Sequence, residues 1–374
     1  SKWSRDNRIV FSNLREGDYT FYVKAKNVYG HISHEQFFSF KVLPPWYRTS
    51  CAYILYVILI SGVIYFAIRI NTRRLIAINK KLEKTIEERT HEIKEKNIVL
   101  ETQKREIVDS INYAQRIQNA VLPNESIMQE YLGDYFIIYR PKDIVSGDFY
   151  WVKNLNQYTV FCVADCTGHG VPGAFMSMLC LSFLDEVIMK EGVIHPDIVL
   201  NRVRNMVIES LKQKGAMWEQ KDGMDISLCF YNRETSLIEF AGANNPVYIV
   251  REIDRKPLPS AKRTDNGKYV IYEIKGDCMT VSYSELMEPY TRHSINIQKE
   301  DRIYLFSDGI CDQFGGSAGK RFMYNSLRAA ILETITPEIR NQKIQIEKRL
   351  DEWKGYINQK TGCCYEQIDD ICLR

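Results

Sequence analysis

The chain has 374 residues, 45% hydrophobic and 26% charged, with a formal net charge of +3. That length sets a prior of two or three domains with a full-sized core, and so small a charge, with no lysine/arginine block interleaved with aromatics, argues against a nucleic-acid groove. Ten cysteines form no Cys-x-x-Cys pair, and nine of them follow residue 68, so they read as reduced, buried thiols rather than zinc ligands or disulfides. The chain begins at Ser1 without an initiator methionine or signal peptide, which is expected of a cut through a larger protein.

Residues 8–43 alternate in the manner of strands. Tyr19, Phe21 and Val23 fall on one face, Phe38, Phe40 and Val42 on one face of a second run, and Asn27-Val-Tyr-Gly30 supplies the turn. The first 47 residues therefore read as the end of a β-sandwich. Thr49 to Ile68 are twenty residues without a charge. At ~1.5 Å rise per residue they span ~30 Å, the thickness of a bilayer core. Trp46, Tyr47 and Tyr65 fit interfacial anchoring. Arg69, Arg73, Arg74, Lys80, Lys81 and Lys84 follow the segment, against Arg48 alone close before it. Positive charge stays inside, which predicts one transmembrane helix at 49–68 with residues 1–47 extracytoplasmic and the rest cytoplasmic, in a bacterial inner membrane.

Between 72 and 122 there is no proline or glycine, and Ile86, Ile93, Leu100, Ile107, Ala114 and Val121 recur every seven residues. This predicts a helical coiled-coil linker of ~75 Å ended by Pro123, and a homodimer through it. The companion core position carries Arg89, Lys96, Gln103 and Ser110, so the coil is marginal, and a long solvated single helix is the competing reading.

From 134 onward strand-type runs (135–139, 148–152, 158–164, 226–231, 237–241, 247–251, 269–274, 302–308) interleave with helices. Ala174 to Met189 is apolar nearly all round and reads as a buried helix, with Phe175, Leu179 and Phe183 as core, while Pro196–Gln213 and Pro337–Trp353 are amphipathic. The expected fold class is α+β, two packed sheets flanked by helices.

Four aspartates stand at strand ends. Asp148 and Asp165 lie beside glycine in Ser146-Gly-Asp-Phe-Tyr-Trp and Ala164-Asp-Cys-Thr-Gly-His-Gly, Asp308 ends Arg302-Ile-Tyr-Leu-Phe-Ser-Asp, and Asp369-Asp370 head the last apolar run. Each pair alone is ordinary turn chemistry; together they form the carboxylate pattern of a hard-cation site. These motifs, with Ala241-Gly-Ala-Asn-Asn-Pro and Phe306-Ser-Asp-Gly-Ile-Cys-Asp-Gln-Phe-Gly-Gly, resemble the SpoIIE-type branch of the metal-dependent type 2C serine/threonine phosphatases over roughly 123–374. Gly17-Asp-Tyr-Thr-Phe-Tyr-Val-Lys-Ala and Pro44-Pro45-Trp46-Tyr47 look like the triple-tyrosine module that follows bacterial β-propeller sensors.

The resemblance implies an α-β-β-α sandwich. It implies that Asp148, Asp165, Asp308 and Asp369, with the carbonyl of Cys166, ligate two Mn²⁺ or Mg²⁺ ions. It also implies a phosphoserine or phosphothreonine substrate on a cytosolic STAS-type anti-sigma-factor antagonist, hence a role in signal transduction. His169 lies four places after Asp165, where eukaryotic relatives have a histidine two places on, and is either a general acid or a loop-shaping group. Asp225 is either structural support or a neighbour that orients a ligand, as is Asp370. Arg140 and Lys142 either bind substrate phosphate or face solvent. A catalytically inactive phosphoprotein-binding scaffold is the alternative function. A metal-dependent nucleotide cyclase lacks the phosphate-binding loop it would need.

Overall fold

The computed structural model describes residues 3–6, 8–215, 221–258, 261–285, 287–358 and 361–374; the expected cut at Ser1 lies outside them. The chain divides into two units, Ser1–Glu101 and Thr102–Arg374.

In the first unit, β1 (Gly17–Val23) and β2 (Gln36–Val42) pair antiparallel, with Tyr19 opposite Phe40 and Phe21 opposite Phe38. The hairpin turn follows the Asn27–Gly30 signal: Asn27 Oδ1 accepts from the N–H groups of Tyr29 and His31, and Gly30 takes φ +86°. Among the described residues this hairpin is the only sheet of the unit, and its Phe37 and Phe38 rings are exposed. Helix α1 (Ser50–Val121) then runs without a break through both segments that the sequence separates at 68 and 72. Its apolar stretch is long enough to cross a membrane and is not buried by the rest of the chain. The heptad residues Ile86, Ile93, Leu100 and Ile107 are exposed too. At the polar companion positions, Arg89 and Lys96 both bond Glu92 of the same helix, at 2.8 and 2.7 Å. Those two charges hold the Glu92 carboxyl below its ordinary range, Lys96 most strongly.

The second unit continues through α2 (Glu125–Leu132), whose N-cap Asn124 accepts from the Ile127 N–H. Next come β3 (Ile138–Arg140), β4 (Phe149–Leu155), β5 (Tyr158–Cys166), α3 (Gly170–Asp185) with a π-helical extension to Lys190, and α4 (Pro196–Ser210). The chain goes on with β6 (Met224–Asn232), β7 (Leu237–Ala243), β8 (Val247–Glu252), β9 (Lys262–Asp265), β10 (Tyr269–Ile274), β11 (His293–Asn296) and β12 (Arg302–Leu305). It closes with α5 (Gly309–Asp312), β13 (Phe314–Gly315), β14 (Lys320–Arg321), α6 (Met323–Glu333), α7 (Ile339–Lys354) and β15 (Ile371–Leu373).

Two antiparallel sheets organise this unit, one in the order β11-β7-β6-β5-β4 and the other β12-β8-β10-β9. β15 pairs β3, and Leu373 bridges Phe306 just past β12. Alternation assigns the layers, because successive strand residues point to opposite faces. On β5, Val160, Cys162 and Ala164 pack with Met176, Cys180 and Leu184 of α3 and Val199 and Val203 of α4. Phe161 and Val163 turn the other way and meet Val247 and Ile249 of β8. Tyr248 and Val250 then face Leu327 of α6 and Ile346 and Leu350 of α7. The order helix, sheet, sheet, helix is the expected one.

Several expectations change. The strand expected over 302–308 stops at Leu305, and Asp308 caps α5 instead of ending the strand. Cys278, Cys363 and Cys364 are exposed thiols where buried ones were expected. The run at 135–139 forms a strand only from Ile138. β9, β11 and α6 have no counterpart in the sequence reading; β9 is a charged Lys-Arg-Thr-Asp edge strand that shows no apolar alternation. Phe175 is not core: it is 74% exposed, because only the face of α3 carrying Met176, Cys180 and Leu184 meets the sheet.

Arg251 of β8 is fully enclosed. Its guanidinium grips both oxygens of Asp301 (2.9 and 2.6 Å), with both side chains shut away from solvent, and also reaches the Asn296 carbonyl. Breaking such a pair leaves an uncompensated buried charge. Asp301→Ala is expected to destabilise the second unit by ~3–5 kcal/mol in urea denaturation.

Candidate active site

Five aspartates gather at one end of the paired sheets. Asp148 sits immediately before β4, Asp165 one residue from the end of β5, and Asp225 opposite it on β6. Asp308 begins α5, and Asp369 precedes β15. The charges of Asp148 and Asp308 both act on the Asp165 carboxyl. A cleft of about 230 Å³ opens above them, lined by Asp165, Cys166, Thr167, Gly168, His169, Gly223, Met224, Asp225, Thr280, Asp308 and Asp369. Asp148 is not in that lining; it is buried beneath.

Backbone contacts bring the loops this close. The 168 turn requires glycine, since Gly168 (φ +84°) and Gly170 (φ +64°) both lie in the left-handed region. A Cβ on Gly173 of α3 would stand 2.2 Å from the Gly168 carbonyl and 3.0 Å from Gly147 Cα, so three glycines let the helix and both aspartate loops stack main chain on main chain. Likewise a Cβ on Gly309 would stand 1.9 Å from the Asp370 carbonyl. The Thr167 hydroxyl donates to the Gly223 carbonyl (3.1 Å) and accepts its N–H (2.7 Å), which fixes the end of β5 against the start of β6.

Each carboxylate has its own support. Ser307 Oγ donates to Asp148 Oδ2 at 2.6 Å, while the Cys372 N–H donates to Ser307 Oγ. Asn244, in the left-handed conformation (φ +57°), donates to Asp225 Oδ1 at 2.9 Å. Asp370 is buried, and its two oxygens accept the N–H groups of Lys142 and Gly147, both at 2.7 Å. The two neighbours in Asp369-Asp370 thus face different ways, Asp369 into the cleft and Asp370 onto the 142–147 loop.

The electrostatics follow from this packing. Burial first, then the charges of Asp370 and Asp369, pushes the Asp148 carboxyl well above the ordinary range, against the Ser307 hydrogen bond. Burial, then Asp148 and Asp308, does the same to Asp165. Asp308, Asp369 and Asp225 are raised chiefly by burial. Among the described residues no three His, Cys, Asp or Glu side chains converge as a ready-made metal cage. The donor set nonetheless suits a hard divalent cation: several half-desolvated carboxylates strain against one another's charge, and a cation among them removes that strain.

The remaining candidates separate. His169 lines the cleft and its Nδ1 pairs with Asp143 Oδ2 at 2.7 Å. The Cys166 thiol is buried, which pushes its pKa up, while its backbone borders the cleft beside Gly147. Burial raises the pKa of the Asp369 carboxyl, and the Lys142 charge opposes that rise only in part. Arg140 lies outside the cleft lining, ion-paired with Asp351 and Glu347 of α7. Asp312 pairs with Arg321. Asp143 and Thr280 escaped the sequence reading, while Asn244 and Ser307 stand in its motifs with no role assigned. For Asn244 a signal existed, since Asn-Asn-Pro after a strand marks a turn that tolerates positive φ.

Helices on both outer faces of two antiparallel sheets, with aspartates gathered at one end, match the layout of a PP2C-type serine/threonine phosphatase domain among solved structures. The family model of stage II sporulation protein E (SpoIIE) matches residues 156–373, more than half of the chain, and the chain belongs to that family. Among solved structures it is similar to the SiaA-PP2C domain of Pseudomonas aeruginosa, at 26% identity and a TM-score of 0.59 over 72% of this chain and 96% of that one. The PP2C phosphatase domain of Bacillus subtilis SpoIIE with a fragment of its regulatory domain matches at 15% identity and TM-score 0.45, over 63% of this chain and 60% of that one. No curated protein matches.

Because the folded-state pKa values are raised, the cation-free folded chain binds more protons than the unfolded one from ordinary carboxylate values upward. This contribution to stability is full below pH ~4 and is lost as pH rises through the raised values. Removing one charge relieves it. In chelator at pH 7, Asp165→Asn is expected to unfold at a higher temperature than the parent by calorimetry, with the difference shrinking below pH 4.

Proposed function

We propose that the chain is a membrane-anchored, metal-dependent protein serine/threonine phosphatase that dephosphorylates phosphoserine or phosphothreonine on a cytosolic regulator. The observation that carries this reading is the group of desolvated, mutually repelling aspartates on one cleft, in a chain of the SpoIIE family. Asp148, Asp165, Asp308 and Asp369, with the Cys166 carbonyl, are the ligands. Two Mn²⁺ or Mg²⁺ ions held there would supply a nucleophile from water at neutral pH and neutralise the phosphoryl oxygens.

The chain's own groups divide the remaining work. Ser307 orients the Asp148 carboxylate, and Asp370 fixes the loop that carries it. Lys142 contributes a positive charge that acts on Asp369 from outside the cleft lining, and it is the proposed phosphate-attracting group. Asp143 holds the His169 ring at the cleft rim, leaving its far nitrogen free to meet the leaving serine oxygen. Arg140 is left out of substrate binding, because its guanidinium already serves α7.

The layout proposed around this domain follows the sequence: an extracytoplasmic triple-tyrosine-like module at 1–47, a crossing at 49–68, a helical linker at 72–122 and the phosphatase at 123–374. The exposed heptad seam of α1 supports a parallel homodimer. A STAS-type antagonist is the proposed protein substrate, on the family resemblance.

With manganese, the chain should release phosphate from a phosphoserine peptide, and Asp308→Asn should lower that rate by ~10³ or more, since a charged ligand is lost without a change of volume. Near-parental activity of the variant at saturating manganese would remove Asp308 from the ligand set. Manganese uptake without turnover of any phosphopeptide would favour the binding scaffold.

For the topology, Ser12→Cys is expected to be labelled by an impermeant maleimide on cells with a permeabilised outer membrane, and Ser126→Cys is not. Labelling at both positions would overturn the single crossing.

A further inference from the structure

The last turns of α1 make a contact that packing alone does not require. Gln118 is buried at 4% exposure. Its Nε2 donates to the Ser146 carbonyl (2.7 Å) and to Ser177 Oγ (3.0 Å), and its Oε1 accepts the Ser146 N–H (3.2 Å). The amide therefore pairs with both backbone groups of Ser146, as a neighbouring strand would. Burying an amide is costly unless its hydrogen bonds are made, and the helix is already fastened by Leu122, one turn on, in the core between α3, α4 and β5. An apolar side chain would serve anchorage equally well.

What the amide adds is control of the loop. Ser146 Oγ accepts the Asp148 N–H at 3.0 Å, and Asp370 holds Gly147 between them. The backbone that delivers Asp148 is thus gripped by Asp370 beside β15 and by Gln118 from the incoming helix. Ser177 of α3 joins the second grip as the acceptor of the Gln118 amide, with its single hydroxyl proton shared between the carbonyls of Ala174 (3.0 Å) and Ser146 (3.2 Å).

We propose that Gln118 is a positioning residue: its amide sets the Ser146–Asp148 backbone so that the Asp148 carboxylate meets Asp165, and in doing so sets the affinity of the site for divalent cations. The proposal rests on the two-cation reading given above. It also places the last turns of α1 in direct mechanical contact with the site, so a shift of those turns along or about the helix axis would be read as a change in cation affinity.

The test measures manganese uptake by the full chain in detergent, from the electron paramagnetic resonance signal of free Mn²⁺, beside phosphopeptide turnover as manganese is raised. Gln118→Met keeps the volume and removes the amide. Its affinity for Mn²⁺ is expected to fall ~10–100-fold, the usual scale for a group that orients a ligand, with the maximal rate recovered at saturating manganese. Should that variant fail to fold, Ser177→Ala carries the test, with a smaller loss of affinity expected. Uptake equal to the parent's in a folded variant overturns the positioning role while leaving the phosphatase reading in place. A parent chain that takes up no Mn²⁺ overturns the two-cation reading and this proposal with it.

Discussion

Concentrated negative charge in a desolvated place is the constraint on which the second unit depends. Carboxylates brought together away from water repel one another and lose hydration, and a fold that gathers them must hold them by force of its other interactions. The supports divide by the element from which they come. Ser307 is tied into the sheet by Cys372, Asn244 comes from a strained turn, Asp370 from the residue before the last strand, and Gln118 from the incoming helix. None of these groups is a long cationic side chain that would cancel the charge. The arrangement preserves the negative potential and controls its shape.

The Asp369-Asp370 pair shows how two identical side chains acquire opposite environments. The bend at Asp369, ahead of β15, turns one into the cleft and the other under the loop. Asp370 is compensated by main-chain dipoles at short range, while Asp369 shares a partly open space with its like-charged neighbours. Chemical identity gives no hint of this difference. Position in the bend before β15 does.

Much of the architecture was legible because it rests on periodicity. Apolar runs such as Tyr158 to Ala164 appear as strands where the sequence places them, and α1 joins the apolar and the heptad segments into one helix. The misses have physical causes. β9 is an edge strand whose Lys262 and Arg263 need no apolar face, and Phe175 sits on a helix too uniformly apolar for its sequence to say which side meets the sheet. The aspartates were legible as strand-end residues beside glycine. Their supports were not, because Gln118 and Ser146, or Ser307 and Asp148, are brought together only by tertiary packing across long stretches of chain.

The stack of Gly147, Gly168 and Gly173 has an evolutionary consequence. Where two loops and a helix touch through main chain alone, the spacing of the Asp148 and Asp165 loops is set largely by atoms that every residue shares. Rim positions that hold neither a carboxylate nor a strand end can therefore be exchanged without disturbing the distances beneath them. A lineage built this way can change what it recognises while keeping one inherited chemistry.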